Sequence, residues 1–213
     1  MLLRTYDLEA GKPTAEVGLV LKLVAALGLT LDVRPEPELP PQAGGWMIRE
    51  ARADEIGALQ AIEVAAGRVF ATVGMDLVAG DEPLPAAELL GYQRDGRAWV
   101  ATDGEDRVVA YLIAEWVDGN VHVEQVSVHP DAAGRGIGAA LIEHVARWAR
   151  ERGAPALTLT TFAEVAWNAP YYGRLGFRPL ADAELTAGLV KIRAAEAAHG
   201  LDRWPRLGMR REL

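Results

Sequence analysis

Residues 121–138 carry the densest chemical signal in the chain. They read Val121-His-Val-Glu-Gln-Val-Ser-Val128, then His-Pro-Asp-Ala-Ala, then Gly134-Arg-Gly-Ile-Gly138 at the start of a helix. Three alternating glycines let a backbone approach a ligand closely, and the free N–H groups at a helix N-terminus form an anion cradle. Gly134, Arg135, Gly136, Ile137, Gly138 and Ala139 are the candidate contacts, and the Arg135 guanidinium can add a direct phosphate contact. The helix dipole contributes about 0.3–1 kcal/mol per charge at an exposed site. A P-loop would end in Gly-Lys-Ser/Thr, whereas this loop ends in Gly138-Ala-Ala. A dinucleotide fold would space its glycines G-x-G-x-x-G at the start of a βαβ unit, and this spacing is G-x-G-x-G. Both patterns fail, so the residues alone specify a phosphate-bearing ligand.

The strand before the loop changes phase. Val121 and Val123 occupy odd positions and Val126 and Val128 even ones. An alternation of period two that slips by one residue at Glu124-Gln125 predicts a β-bulge. The bulge would splay this strand from its parallel neighbour, leaving a gap for a ligand, and would set His122, Glu124 and Ser127 on one face. Glu124 and His122 are the candidate proton acceptors there, and Glu124, beside the bulge, is the favoured one.

These residues need a scaffold, and the chain has the material for one. It has 213 residues, 50% hydrophobic and 24% charged. Asp54 is the expected cap of a helix carrying Ile56, Leu59, Ile62 and Ala66 on one face, after a strand Met47–Glu50. A second helix is expected near residues 85–92. Strands follow at 98–102, 108–114 and 121–128, joined by the turn sequences Gly104-Glu-Asp and Asp118-Gly-Asn and therefore antiparallel. A long amphipathic helix comes next, with Ile137, Leu141, Val145 and Trp148 on one face. A strand at 156–161, a short helix, a helix over about 182–198 and a last strand near 207–211 complete an α+β order with a mixed sheet.

Pro35, Pro37, Pro40 and Pro41 mark residues 34–45 as a linker. It separates a short helix-strand unit, residues 1–33, from the main domain, residues 46–213. The absence of cysteine excludes a disulfide scaffold, a thiolate zinc site and a cysteine nucleophile. His129, His144 and His199 show no ligand spacing, so no metal is expected. A net charge of −8 argues against broad binding to nucleic acid or anionic lipid. No apolar run reaches the roughly 18 residues of a membrane span. Arg4, Asp7, Glu9 and Lys12 interrupt any signal peptide, so a cytoplasmic protein with no membrane partner is expected.

The loop and the bulged strand resemble motif A of the GNAT acetyltransferase superfamily. Trp167-Asn-Ala-Pro-Tyr-Tyr-Gly-Arg-Leu-Gly-Phe177 is similar to that superfamily's motif B. Motif order and separation agree over residues 46–213. The resemblance implies a GNAT acyl-CoA N-acyltransferase fold with a bulged, splayed fourth strand, and acetyl-CoA as co-substrate. Its pyrophosphate would lie on the glycine loop, its pantetheine would meet Asn168, and its thioester carbonyl would meet N–H groups of Val126, Ser127 and Val128. Tyr172 would protonate the departing thiolate, with Glu124 or His122 as base. Where the family commonly has Gln or Arg, this chain has Ala133, so one side-chain phosphate contact is lost and the backbone cradle remains.

The implied reaction is N-acetylation of a primary amine, in a small molecule or a peptide, by direct attack in a ternary complex. Presenting a neutral lysine-like amine at pH 7 costs about 4–5 kcal/mol and a neutral α-amino group ~1.4, so a modest base suffices. Acceptor choice is expected in residues 69–85, where Asp76, Asp81 and Glu82 would suit a cation, and in residues 182–199. Residues 6–31 resemble the C-terminal half of XRE-type helix-turn-helix antitoxins. That likeness implies a homodimerising remnant and no DNA reading, since half of such a motif cannot grip a groove. With Ala133, it motivates the alternative of a non-catalytic CoA-sensing, antitoxin-like or regulatory protein.

Overall fold

The computed structural model describes residues 45–213. The expected helix-strand unit, its antitoxin-like resemblance and the linker up to residue 44 lie outside the described residues. Within them a seven-stranded mixed sheet runs in the order β1-β2-β3-β4-β5-β7-β6. The first four strands are β1 (Met47–Glu50), β2 (Ala98–Thr102), β3 (Val108–Val117) and β4 (Asn120–Val128), paired antiparallel with one another in that order. The turn between β3 and β4 places Asp118 (φ 49°) and Gly119 (φ 79°) in the left-handed region, the two-residue geometry that matches strand twist. β5 (Ala156–Phe162) then pairs parallel to β4, and β7 (Arg206–Glu212) enters antiparallel between β5 and the short β6 (Arg178–Pro179).

Both faces of the sheet are covered, which fixes where each side chain of β4 must point. On one face lies α4 (Ile137–Glu151), whose Ile137, Leu141, Ile142, Val145, Ala146 and Ala149 are buried. They pack with Leu112, Ala114, Val121 and Val123, while Val126 and Val128 flank the same cluster. On the other face lie α1 (Ile56–Gly67) and α3 (Ala86–Arg94), which bury Ile56, Leu59, Ile62 and Leu89 against Val100, Tyr111 and Ile113. A short α2 (Asp76–Ala79) joins them. The remaining helices are α5 (Ala169–Arg174) and α6 (Ala187–Ala198).

Two expectations change at α1. Asp54 does not cap it: residues Ala53–Glu55 form a 3₁₀ turn. Glu55 does the fastening instead, accepting from the Arg52 backbone N–H (2.8 Å) and from Arg49 (2.6 and 2.9 Å). The helical run Ala53–Val73, 21 residues with mean hydropathy 1.3, is long and apolar enough by composition to cross a membrane. Sequence reading missed it because Glu63 at its midpoint and Arg68 beyond break any continuous apolar run, while alanine, valine and isoleucine keep the mean hydropathy high. In this fold Leu59 is fully buried and Glu63 accepts a 2.7 Å hydrogen bond from the Tyr111 hydroxyl inside the sheet face.

α6 belongs to the connection between β6 and β7. Its first turn docks on the β3–β4 turn, where the Gly188 N–H donates to Asp118 Oδ2 at 2.6 Å. Leu189 is buried, and beyond the helix His199 Nε2 lies 3.0 Å from Asp81 in the α2–α3 segment. A Cβ at Gly188 would fall 2.4 Å from Val117 Cγ1 and 2.6 Å from Asp118 Oδ2. Alanine is a better helix former than glycine by about 1 kcal/mol, whereas such overpacking costs roughly 1–3 kcal/mol. Gly188→Ala is therefore expected to lower Tm by a few degrees in a thermal melt. A rise in Tm would show that helix propensity outweighs this contact.

Candidate functional site

The predicted phase slip in β4 is present, and Glu124 is the extra residue. Gln125 stands opposite Ile113 and Val123 opposite Ala114, so Glu124 has no partner on β3. Val121, Val123, Val126 and Val128 consequently all face the α4 side. His122, Glu124, Gln125 and Ser127 take the other face, with the Gln125 amide donating to Ser127 Oγ at 2.8 Å. The expected gap follows. β4 and β5 pair only at Val121↔Leu157 and His122↔Thr158, and beyond that point they part. The His129 N–H donates to Val109 O at 2.8 Å. By the alternation of an antiparallel ladder, Ser127 and Gln125 then bond to β3, and the N–H groups of Val126 and Val128 point into the gap.

The glycine loop closes one end of this gap. Gly134 (φ 74°) and Gly136 (φ 77°) need the left-handed region, and Gly136 is the residue from which α4 starts. Gly138 sits in a tight spot: a Cβ there would lie 3.3 Å from the Tyr171 hydroxyl, which would have to give slightly, and in ordinary contact with Val128 Cγ2 at 3.6 Å. The first N–H groups of α4, at Ile137, Gly138 and Ala139, have no partner within the helix. Arg135 is exposed and spends one N–H on the Asp131 carbonyl, 3.2 Å away. Ala133 contributes no side-chain donor.

On the β5 side, Asn168 donates to Thr161 Oγ1 (2.9 Å), while its Oδ1 is buried with no partner. A buried acceptor left open suits an amide N–H from a ligand arm lying in the gap. Tyr172 packs edge-on against Tyr171 (5.5 Å) and Phe177 (5.9 Å). Burial first, then the neighbouring Tyr171, holds its hydroxyl proton more firmly than in a free phenol. A Phe70, Phe162 and Trp167 cluster, with centroids 5.6 and 5.7 Å apart, lies beside β5.

The two candidate bases occupy different environments. His122 is 1% exposed, its Nδ1 sits 3.0 Å from Thr158 Oγ1, and burial pushes its pKa down to about 4. It is neutral at pH 7, and the 3.9 Å between its Nε2 and Glu124 Oε2 is too long for a hydrogen bond. Glu124 keeps a third of its side chain accessible (33%), yet crowding by protein and the charges of Glu115, Glu196 and Glu88 push its pKa up to about 7, with Arg206 opposing. Of the acidic residues expected to meet an acceptor, Asp81 is paired with His199. Glu196, Arg206 and Thr160, which form a half-buried hydrogen-bonded cluster at β5, escaped sequence reading. Glu196 looks there like any solvent-facing helix charge, and only the Arg193-to-Glu196 spacing hints at a pairing.

Because Glu124 binds its proton more tightly folded than unfolded, the folded state loses stability from this group as pH rises between about 4.5 and 7. Glu124→Gln should therefore raise Tm relative to the parent at pH 8 and bring less gain at pH 5. Equal differences at both pH values would show that the carboxyl is not perturbed.

The family model described as Acetyltransferase (GNAT) family matches residues 68–177. A streptothricin acetyltransferase from Streptomyces lavendulae is 32% identical over 113 residues, 52% of this chain and 58% of that protein. The chain thus matches little more than half the length of this curated relative. A GNAT-family acetyltransferase from Staphylococcus aureus superposes with a TM-score of 0.63 at 13% identity, covering 79% of this chain and 99% of the other. An N-acetyltransferase from Thermoplasma acidophilum, solved in complex with coenzyme A, gives 0.57 at 10% identity, covering 79% and 99%. The two structures establish the fold, and with a matched stretch that takes in the bulged strand, the glycine loop and Asn168–Tyr172, the chain belongs to the GNAT acetyltransferase family.

Proposed function

We propose that the protein transfers an acetyl group from acetyl-CoA to a primary amine by direct attack, with Glu124 as base and Tyr172 as acid. The observation that carries this reading is the parting of β4 and β5 at a carboxyl whose pKa is about 7. A base is most effective when its pKa lies near the working pH, since it is then both ionised and able to keep a proton. His122 is the poorer candidate, being a weak base at pKa about 4 and engaged with Thr158.

Acetyl-CoA supplies an activated acyl carbon when bound. The residues around the gap fit it: the N–H groups of Ile137, Gly138 and Ala139 suit the pyrophosphate, Asn168 Oδ1 suits an amide N–H of pantetheine, and the Val126 and Val128 N–H groups suit the carbonyl. Glu124 takes the proton that the amine nitrogen sheds as the C–N bond forms. Tyr172 holds a proton at its hydroxyl oxygen for the sulfur that departs as the C–S bond breaks, and solvent restores it. Glu124 and His122 on one face of β4, beside the gap, make proton handling and orientation the chain's contributions.

The relative from Streptomyces lavendulae is a streptothricin acetyltransferase, so streptothricin belongs in the first acceptor panel beside simple alkylamines and peptide N-termini. Release of free CoA thiol is the assay. Tyr172→Phe is expected to lower kcat by roughly 10²-fold with little change in KM for acetyl-CoA. Tight acetyl-CoA binding with no thiol release across the panel would instead favour the non-catalytic sensor.

A further inference from the structure

The connection between β6 and β7 brings a second carboxylate to the gap. α6 is held at its start by the Gly188–Asp118 contact and beyond its end by His199 and Asp81. Its last turn lays Glu196 against β5 and β7. Glu196 Oε1 accepts from Thr160 Oγ1 and from Arg206 Nη2 at 2.5 Å. Its Oε2 accepts from Arg206 Nε at 3.1 Å and Arg193 Nη1 at 2.5 Å. Arg206 is fixed in turn, its guanidinium 4.3 Å above the Phe162 ring. The cluster is well covered, the Glu196 and Arg206 side chains being 14% and 9% exposed.

Strand register shows what this cluster faces. His122 of β4 stands beside Thr158 of β5, and that is the last pair before the strands part. Two residues further on, Thr160 would stand beside Glu124 had pairing continued, and both belong to the same face. Glu124 therefore sits on one lip of the gap and the Thr160–Glu196–Arg206 cluster on the other. Building on the assignment of Glu124 as base, we propose that Glu196 is a positioning residue of the transfer site, a fixed negative charge held by Arg206 and Thr160 across the gap from Glu124. Four donors keep Glu196 ionised, and Arg206 holds its carboxyl below the usual carboxylate range despite burial.

The charge acts on Glu124 together with its other neighbours. These are Glu115 on β3, Glu88 and Tyr92 on α3, neutral His122 on β4 and Arg206 on β7. Glu115 is the stronger like charge and Glu196 the next. Glu196→Gln removes one repulsion and frees Arg206 to attract, and both changes favour the ionised form of Glu124. Arg206→Gln does the reverse. A purely structural role for the cluster would not give opposite signs.

The test follows the Glu124 carboxyl by ¹³C NMR in glutamate-labelled protein, assigned by the signal lost in Glu124→Gln. Glu196→Gln should lower its titration midpoint by about half a pH unit or more, and Arg206→Gln should raise it. The acid limb of kcat/KM should move the same way with KM for acetyl-CoA unchanged. Thr160→Val, which keeps every charge, should leave the midpoint in place, and any one folded charge variant decides the sign. An unmoved midpoint, or the same direction in both charge variants, overturns the proposal. Midpoints that move as expected without any thiol release would instead overturn the catalytic role of Glu124 and leave the electrostatic coupling standing.

Discussion

Everything at this site depends on one unpaired residue in β4. Four valines must reach the α4 side of the sheet, and two of them are out of phase with the other two. Without an extra residue, Val126 and Val128 would turn onto the face that carries His122. Keeping a valine covered is worth roughly 1.5–3 kcal/mol, and a ladder hydrogen bond contributes only about 0.5–1.5 kcal/mol net. Inserting Glu124 and giving up ladder contacts with β5 is therefore the favoured solution. The bulge then bends the strand and increases its twist, so β4 leaves β5 after two residue pairs of shared register. Apolar patterning on one face thus opens a polar gap on the strand's edge.

That gap divides the labour between its two sides. Backbone groups dominate the side toward α4: the glycine loop, the opening turn of the helix and the edge of β4 all present N–H donors, which suit phosphates and carbonyls whatever the side chains nearby. This is why the loss of a side-chain donor at Ala133 leaves the cradle largely intact. Side-chain carboxylates dominate the other face. Glu124 and Glu196 carry the same chemical group in opposite conditions, one crowded by like charges and the other wrapped by Arg206, Arg193 and Thr160. Environments that push two carboxyls apart in proton affinity separate a proton carrier from a permanent charge.

What could be read from the residues follows the range of the interactions involved. The bulge was legible because hydrophobic phase is a local property, visible in eight consecutive residues. The glycine loop was legible for the same reason, since a left-handed turn and a close approach each demand a residue without Cβ at a known offset. Every strand among the described residues except the two-residue β6 was located within a few residues, as were α1, α3, α4 and α6. The Asp54 cap failed because Glu55 accepts two hydrogen bonds from the Arg49 guanidinium as well as one from a backbone N–H, and three contacts outweigh one. Glu196 was invisible because its partners lie on strands distant in sequence. Nothing in an alanine-rich helix says which of its charges will be covered.

The matched family stretch ends at Phe177, before α6 and β7 begin. It contains the bulge, the glycine loop, Asn168 and Tyr172, and so takes in the parts that would handle the acetyl donor. Glu196 and Arg206 lie beyond it, on a connection that could have been a tight hairpin and is instead a helix pinned to Asp118 at one end and Asp81 at the other. The helix is anchored through both the β3–β4 turn and the α2–α3 segment, so it can carry a charge to the gap without disturbing the glycine loop. Donor geometry and acceptor-side electrostatics thereby rest on separate pieces of chain. On the proposed reading, a change in α6 would retune Glu124 while leaving the glycine loop alone, which is the physical condition for one transfer chemistry to serve different amines.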